Sequence, residues 1–349
     1  MSLVFLAIGA NPPWTEGRKN LVRDLAEEIG ARGKAVRVLA GPPAAHALLQ
    51  TLVALFALWA LLLRGKAEGV VQFPYGRFGG VRGRVNRFVA NLVEASVRRT
   101  GVPLLTLLYS ADGITLQEAV DSFGSIAAVG VSHPNVHMVH LGASVSAWST
   151  SKADAQFPVR LLFLCGYQTP SAAAVTGVLD ERGLGRLLSA CDGIARDVEL
   201  TIAIPFLRDA KVCDRIQKEI AARCPSLPVR LDATVAPETA LLEHDIFVFP
   251  YVAEHSVFVP TSLLEAMWLG VPVVASDRRM YRALTKPTGI ANCELDAEDS
   301  IRGLRMALQN CIDNLPAAID QARRARCHVM AEWNIARAAN DVLHALSVA

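Results

Sequence analysis

The sequence predicts an α/β chain of two Rossmann-like domains facing a central cleft. Three observations predict it. Short apolar runs of strand length alternate with longer, helix-spaced segments through both halves of the chain. A polar, Ser-rich stretch at 143–156 separates one such series from the next and reads as a linker. The length of 349 residues suits two domains at the usual ~150 residues each. The domains are therefore placed at 1–150 and 151–325, with the cleft between them as the natural ligand site.

The elements follow in order. Leu3–Ile8 is an apolar run ending at Gly9, as expected of a strand buried on both faces. A loop holding Trp14 and Gly17 leads into a helix over Leu21–Ala31, which Gly33 ends. Ala35–Leu39 is the next strand, which completes a β–loop–α–β unit. The loop has Gly9 and Gly17 but no GxGxxG, so a dinucleotide site is disfavoured.

Residues 38–63 carry no formal charge, and 44–63 are almost wholly apolar. That length allows a membrane span. It also fits a buried crossover helix or a helix dipping into one leaflet. Topology favours the crossover, because a span would put the first strand and the rest of the sheet on opposite sides of a bilayer. The strand GVVQF at 69–73 follows, as α followed by β requires. Arginines at 77, 82, 84, 87, 98 and 99 come next, among glycines at 76, 79, 80 and 83. They read either as a solvated loop and helix face or as a site for anionic lipid or a phosphate-bearing acceptor, centred on Arg82, Arg84 and Arg87. Strands are expected at Val102–Leu108, Ile126–Val131 and Val136–Leu141.

The second series begins at Val159–Cys165. A helix over Gly183–Ala195 and a strand over Val198–Ile204 follow. Cys213–Arg223 is a helix, and Val229–Leu231 and Asp245–Phe249 are strands.

Composition narrows the function classes. With 52% hydrophobic and 19% charged residues, the chain has ample apolar surface to bury and is not disordered. Lys+Arg number 35 against 33 Asp+Glu, and aromatics do not interleave with the arginines, so nucleic acid is not an expected partner. The balance hides an asymmetry. Residues 1–155 hold 15 basic and 10 acidic side chains, a net of +5, while 156–349 hold 20 and 23, a net of −3. The two halves thus face different partners. Seven cysteines, all in the second half and without a CxxC pair, argue for reduced thiols in a cytoplasmic protein rather than a disulfide framework or zinc site. The opening MSLVFLAIGANPPW reads as a strand rather than a signal peptide. His133, His137 and His140 lack metal-ligand spacing and read as packing or surface residues; no metal site is expected.

The most informative stretch is 245–279, DIFVFPYVAEHSVFVPTSLLEAMWLGVPVVASDRR. It reads as strand, loop, helix ended by Gly270, and strand. A helix N-terminus at the carboxyl edge of a parallel sheet offers free N–H groups and a positive dipole end to a diphosphate.

This segment resembles the donor-binding signature of retaining glycosyltransferases of the GT-B fold, the glycogen-synthase-like and mannosyltransferase-like group. LLEAMWLGVPVVASD at 263–277 carries the likeness. Weaker similarity lies in the N-terminal stretch, in PNVHMVHLGAS, in ERGLGRLLSA at 181–190 and in the tail around Trp333. The resemblance implies that 326–349 is a helix returning toward the N-terminal domain.

It also implies roles. Glu265 matches the glutamate that accepts hydrogen bonds from the ribose hydroxyls of a sugar nucleotide; Ser262–Glu265 also has the spacing of a capping box. Pro260, Thr261 and Ser262, running into Leu263 and Leu264, match the loop that meets the diphosphate. The family's second acid lies eight residues before the ribose glutamate, where Val257 stands; Glu254, four residues after Pro250, fits the spacing from the other side. Either an insertion lets Glu254 contact the donor sugar or the acid is missing. Arg182, before Gly183, stands where a diphosphate-binding lysine is usual, and an arginine fork can serve. Tyr167 stands where relatives have an arginine, and Leu108 or Tyr109 where they have a histidine. Gly9, Trp14 and Gly17 fall in the N-domain loop near donor and acceptor.

The implied activity is retaining sugar transfer from a nucleoside-diphosphate sugar, with UDP or GDP as carrier, to a carbohydrate or lipid-linked acceptor. The sugar nucleotide is a co-substrate, and no cofactor is expected. In the family the leaving phosphate helps deprotonate the acceptor in a front-face reaction. No DxD triplet occurs, so the reaction is expected to be metal-independent. The apolar run and arginines add peripheral contact at the cytoplasmic membrane face. Two other readings stay open: a degenerate GT-B protein that binds a sugar nucleotide as scaffold or regulator, and a sugar-nucleotide epimerase or hydrolase.

Overall fold

A computed structural model describes residues 1–8, 17–42, 47–74, 80–108, 125–129, 136–140, 158–166, 170–194, 197–233, 236–252, 259–276, 282–288, 291–293 and 300–349. The chain divides into two units. The first comprises Met1–Ser144, His255–Pro260 and Glu332–Ala349, and the second Val145–Glu254 and Thr261–Ala331.

The first unit holds a parallel sheet in the order β2-β1-β3-β4-β5-β6. Its strands are β1 (Ser2–Leu6), β2 (Val36–Leu39), β3 (Ala67–Gln72), β4 (Leu104–Leu108), β5 (Ile126–Val129) and β6 (His137–Val139). Every residue of β1 is buried, which is why the opening run lacks polar alternation. Buried Gln72 donates from Nε2 to Thr106 Oγ1 at 2.6 Å and ties β3 to β4 inside this apolar layer.

Helix α1 (Gly17–Ala31) buries Leu21, Val22, Leu25 and Ile29, one face at helical spacing. Helix α2 (Ala47–Leu63) is the crossover from β2 to β3, and α3 (Gly80–Arg98) the crossover from β3 to β4. Ala54, Leu55, Leu58, Leu61 and Leu62 of α2 join Val93 and Val97 of α3 in one core cluster with β1 and β3. Among the described residues no helix is long and apolar enough to cross a membrane. The arginine-rich stretch expected as a loop plus a helix face is helical from Gly80 onward.

The C-terminal helix Ile335–Ser347 packs on this unit, against α1 and β6. Asn334 caps it, its side chain accepting from the Arg337 N–H at 2.9 Å. Arg32 of α1 donates to the Ala336 carbonyl at 2.8 Å. Buried His140, just past β6, gives both its backbone N–H and its Nδ1 to Asp341 Oδ2, at 3.0 and 2.8 Å, and meets Trp333 edge-on. The expected boundary at 325 falls inside a continuous helix, Leu315–Glu332, and the change of unit comes at Glu332.

The second unit holds a parallel sheet in the order β12-β11-β10-β7-β8-β9. Its strands are β7 (Val159–Leu164), β8 (Val198–Ala203), β9 (Val229–Asp232), β10 (Ile246–Phe249), β11 (Val273–Ser276) and β12 (Ala291–Cys293). In its own strand sequence this is the order 3-2-1-4-5-6, with the chain reversing direction across the sheet between β7 and β10. The helix expected over Gly183–Ala195 runs only from Leu184 to Cys191, where Arg305 donates to the carbonyls of Ser189 and Ala190. Cys165, Cys191, Cys224 and Cys311 are buried free thiols, and burial pushes Cys191 and Cys311 up to about 12, so they stay protonated.

Candidate functional site

Open parallel sheets bind ligands outside the carboxyl ends of their strands, where the strand order reverses. In the second unit that point lies past Leu164 of β7 and Phe249 of β10. Each segment leaving these two strands contributes to one cluster.

The segment after β7 forms a short helix, Ala172–Thr176, capped by Ser171, which accepts from the Ala174 N–H. It continues as a π-helical turn, Gly177–Glu181. The Arg182 N–H closes that turn on the Gly177 carbonyl at 2.9 Å. Such wide turns recur at functional sites because they re-aim a side chain. Gly183 then takes a left-handed conformation, φ 73°, and the helix Leu184–Cys191 begins.

The segment after β10 packs directly on this turn. The Val252 N–H donates to the Glu181 carbonyl at 2.8 Å. A Cβ on Gly183 would lie 2.0 Å from the Pro250 carbonyl oxygen, so only glycine fits. Tyr251 is buried and stacks on Phe249, ring centroids 3.7 Å apart. The Arg182 guanidinium lies over the Tyr251 ring, 4.5 Å from its centroid. One turn further along, Arg186 has its Nη1 buried without a hydrogen-bond partner among the described residues.

The third contribution is the helix Thr261–Leu269, between β10 and β11, which buries Leu263, Leu264, Ala266, Met267 and Leu269. Its first-turn N–H groups have no partner within the helix and face the carboxyl edge of the sheet. The helix starts at Thr261, so Ser262 sits in its first turn and not at the N-cap. The Ser262–Glu265 capping box expected from spacing is therefore out of register. Glu265 is half-buried, and burial pushes its carboxyl up to about 7. Beside the helix, Ser276 Oγ donates to the Phe249 carbonyl at 3.3 Å and joins the ends of β11 and β10.

The structure thus brings Arg182 to Tyr251 and places Glu265, half-buried Thr261 and Ser262, and buried Pro260, Leu263 and Leu264 at the start of one helix. Glu254, Tyr167, Gly9 and Trp14 lie outside the described residues. Gly17 is the first residue of α1. Arg82, Arg84 and Arg87 lie on α3 of the first unit; Arg84 is exposed and Arg87 half-buried, while the Arg82 side chain is outside the described residues. Sequence reasoning missed Tyr251, Arg186 and the π-helical turn. The aromatic after Phe249–Pro250 was a signal for the first; nothing in the local sequence marks the wide turn.

Residues 172–314 match the family described as glycosyl transferases group 1. The matched stretch spans Arg182, Gly183, Tyr251, Glu265 and the helix that holds Glu265. Solved structures agree on the fold. Sucrose-phosphate synthase from Thermosynechococcus elongatus superposes with a TM-score of 0.70 at 12% identity, covering 99% of this chain and 98% of that one. HepE from Anabaena, in complex with UDP and glucose, gives 0.64 at 14% identity over the whole of both chains. The lipopolysaccharide outer core galactosyltransferase WaaB gives 0.62 at 12% identity, over 100% of this chain and 99% of that one. At these identities the likeness concerns the fold, which is GT-B. No curated protein matches the sequence.

Proposed function

We propose that this glycosyltransferase moves a sugar from a nucleoside-diphosphate sugar to an acceptor hydroxyl, with retention at the anomeric carbon. The observation that carries the reading is Arg182 over Tyr251 at the exit of β10, with the helix that holds Glu265 following on the same β10-to-β11 connection. The three parts suit the three parts of such a donor. A carboxylate accepts two vicinal ribose hydroxyls, a helix N-terminus takes a diphosphate, and an arginine offsets charge on the leaving phosphate. The complex of HepE with UDP and glucose supports the donor class.

The protein supplies positioning and charge stabilisation rather than a nucleophile. A phosphate oxygen of the departing diphosphate takes the acceptor proton as the new glycosidic bond forms on the same face. Glu254, on the segment after β10, contacts the donor sugar in this reading. The acceptor is a carbohydrate, and the apolar run 44–63 with the arginines of α3 favours one carried on a lipid.

The test is product analysis with a panel of UDP-, GDP- and ADP-sugars and lipid-linked and free acceptors. The expected product is a glycoside whose anomeric configuration equals the donor's by NMR. Free sugar as sole product would make the protein a hydrolase. Tight nucleotide binding without consumption of any donor would make it a non-catalytic binder.

A further inference from the structure

Helix α2 buries one face, and the opposite face is apolar too. Leu48 and Phe56 are each 64% exposed, and Leu49, Leu52 and Val53 are exposed beside them. These positions recur at helical spacing and form one outward stripe. A crossover helix on a water-facing layer ordinarily carries charged residues there.

Helix α3 extends the same surface. The Trp59 Nε1–H donates to Ser96 Oγ at 3.1 Å, so the two helices are neighbours. The crossovers β2 to β3 and β3 to β4 move the same way across the sheet, which puts both helices on one of its faces. On α3, Phe88 is 68% exposed, with Val85 and Arg84 exposed and Arg87 half-buried around it. No Asp or Glu occurs between Glu28 and Glu68, nor between Glu68 and Glu94. Both helices also start at the carboxyl edge of the sheet, so Leu48, Leu49, Leu52, Arg84, Val85 and Phe88 all lie toward that edge.

We propose that the outer face of α2 and the first turns of α3 dock on an anionic lipid bilayer. The apolar stripe enters the boundary between headgroups and acyl chains, and Arg84 and Arg87 meet headgroup phosphates. Charge selects this occupant. Among the described residues the outer face of α2 and the first turns of α3 are cationic and apolar without a carboxylate, the complement of an acidic membrane, whereas a second copy would set arginines against arginines. The inference deepens the lipid-carried acceptor reading and rests on it only for its purpose. Its test uses no turnover, so the two can fail separately.

The test is flotation of the full chain with vesicles of phosphatidylcholine alone and with ~30 mol% phosphatidylglycerol, at ~50 mM and ~500 mM salt. The expected result is co-flotation with the anionic vesicles, at least ~10-fold above the neutral ones and reduced by salt. Leu52→Glu with Phe56→Glu, and separately Arg84→Glu with Arg87→Glu, should each reduce it at least ~10-fold while keeping the melting temperature, because all four side chains lie outside the core. Absent flotation, equal flotation with both vesicle types, or variants that float like the parent would overturn the proposal. So would a dimer in solution that Phe56→Glu converts to monomer, since the stripe would then be covered by a second copy.

Discussion

The Arg182 guanidinium rests on the Tyr251 ring, 4.5 Å from its centroid, and so links the exit of β7 to the exit of β10. Tyr251 is itself held by stacking on Phe249. The cation is thus aimed by an aromatic platform before any ligand arrives. Arg182→Ala should lower kcat by about 10²–10³ with little change in the far-UV spectrum, because a leaving-group contact acts in the transition state. Tyr251→Leu should lower kcat less, and a double-mutant cycle on urea unfolding should give a coupling of ~0.5–2 kcal/mol between the two. Additive effects would show that the ring does not aim the arginine.

Gly183 is the tightest point of the same joint. Its φ of 73° is left-handed, and the atom a Cβ would strike is backbone, the Pro250 carbonyl oxygen at 2.0 Å. Gly183→Ala should destabilise the chain by at least ~2 kcal/mol, combining the left-handed penalty with the clash. Denaturant unfolding measures it. A variant as stable as the parent would mean that the two segments are not in contact.

Glu265 makes stability and ligand binding depend on pH. Its folded-state pKa of about 7 lies above the ordinary 4.5, so the folded chain holds this proton more tightly than the unfolded chain. The contribution is therefore fully present below about 4.5 and is lost as pH rises through about 7. Glu265→Gln should flatten the melting temperature between those limits. Binding of a sugar nucleotide, whose ribose hydroxyls donate to the ionised carboxyl, should release a proton near pH 6. Calorimetry in buffers of different ionisation enthalpy reads that proton directly.

His140 and Asp341 anchor the C-terminal helix to the first unit through two hydrogen bonds to one carboxylate oxygen. Asp341→Ala leaves a buried N–H and an imidazole without their acceptor, and should cost ~1–3 kcal/mol. Hydrogen exchange should show the loss concentrated in Ile335–Ser347. Uniform loss across the unit would place the anchor elsewhere.

Much of this architecture was legible because parallel strands buried on both faces read as plain apolar runs. β1, β2, β7, β8 and β10 begin and end within a residue or two of the runs that announced them. β12 was not legible, since Ala291–Cys293 is too short to show a pattern and exists only through pairing with β11. The helix Pro237–Glu243 escaped for the same reason of length, although Pro237 at its start was a signal. In the site, Glu265 and Arg182 could be named through the resemblance of 263–277 and 181–190 to a glycosyltransferase family, not from spacing alone. Tyr251 showed only as an aromatic after Phe249–Pro250, because its role depends on which segment the fold lays across it. The uncharged run 38–63 shows the limit from the other side. Its length allowed three environments, and only the sheet, by covering Leu55, Leu58 and Leu62, decided which face was inside.

The central claim is that Glu265 holds the ribose of a sugar nucleotide, and calorimetric titration tests it most directly. The parent and Glu265→Ala would be titrated with UDP-, GDP- and ADP-sugars near pH 8, where the carboxyl is ionised. The account predicts that one sugar nucleotide binds the parent and that the variant binds it about 100-fold more weakly, the worth of two hydrogen bonds to a charged group, ~3 kcal/mol. Equal affinity in the two proteins, or a parent that binds none of the sugar nucleotides, would contradict it.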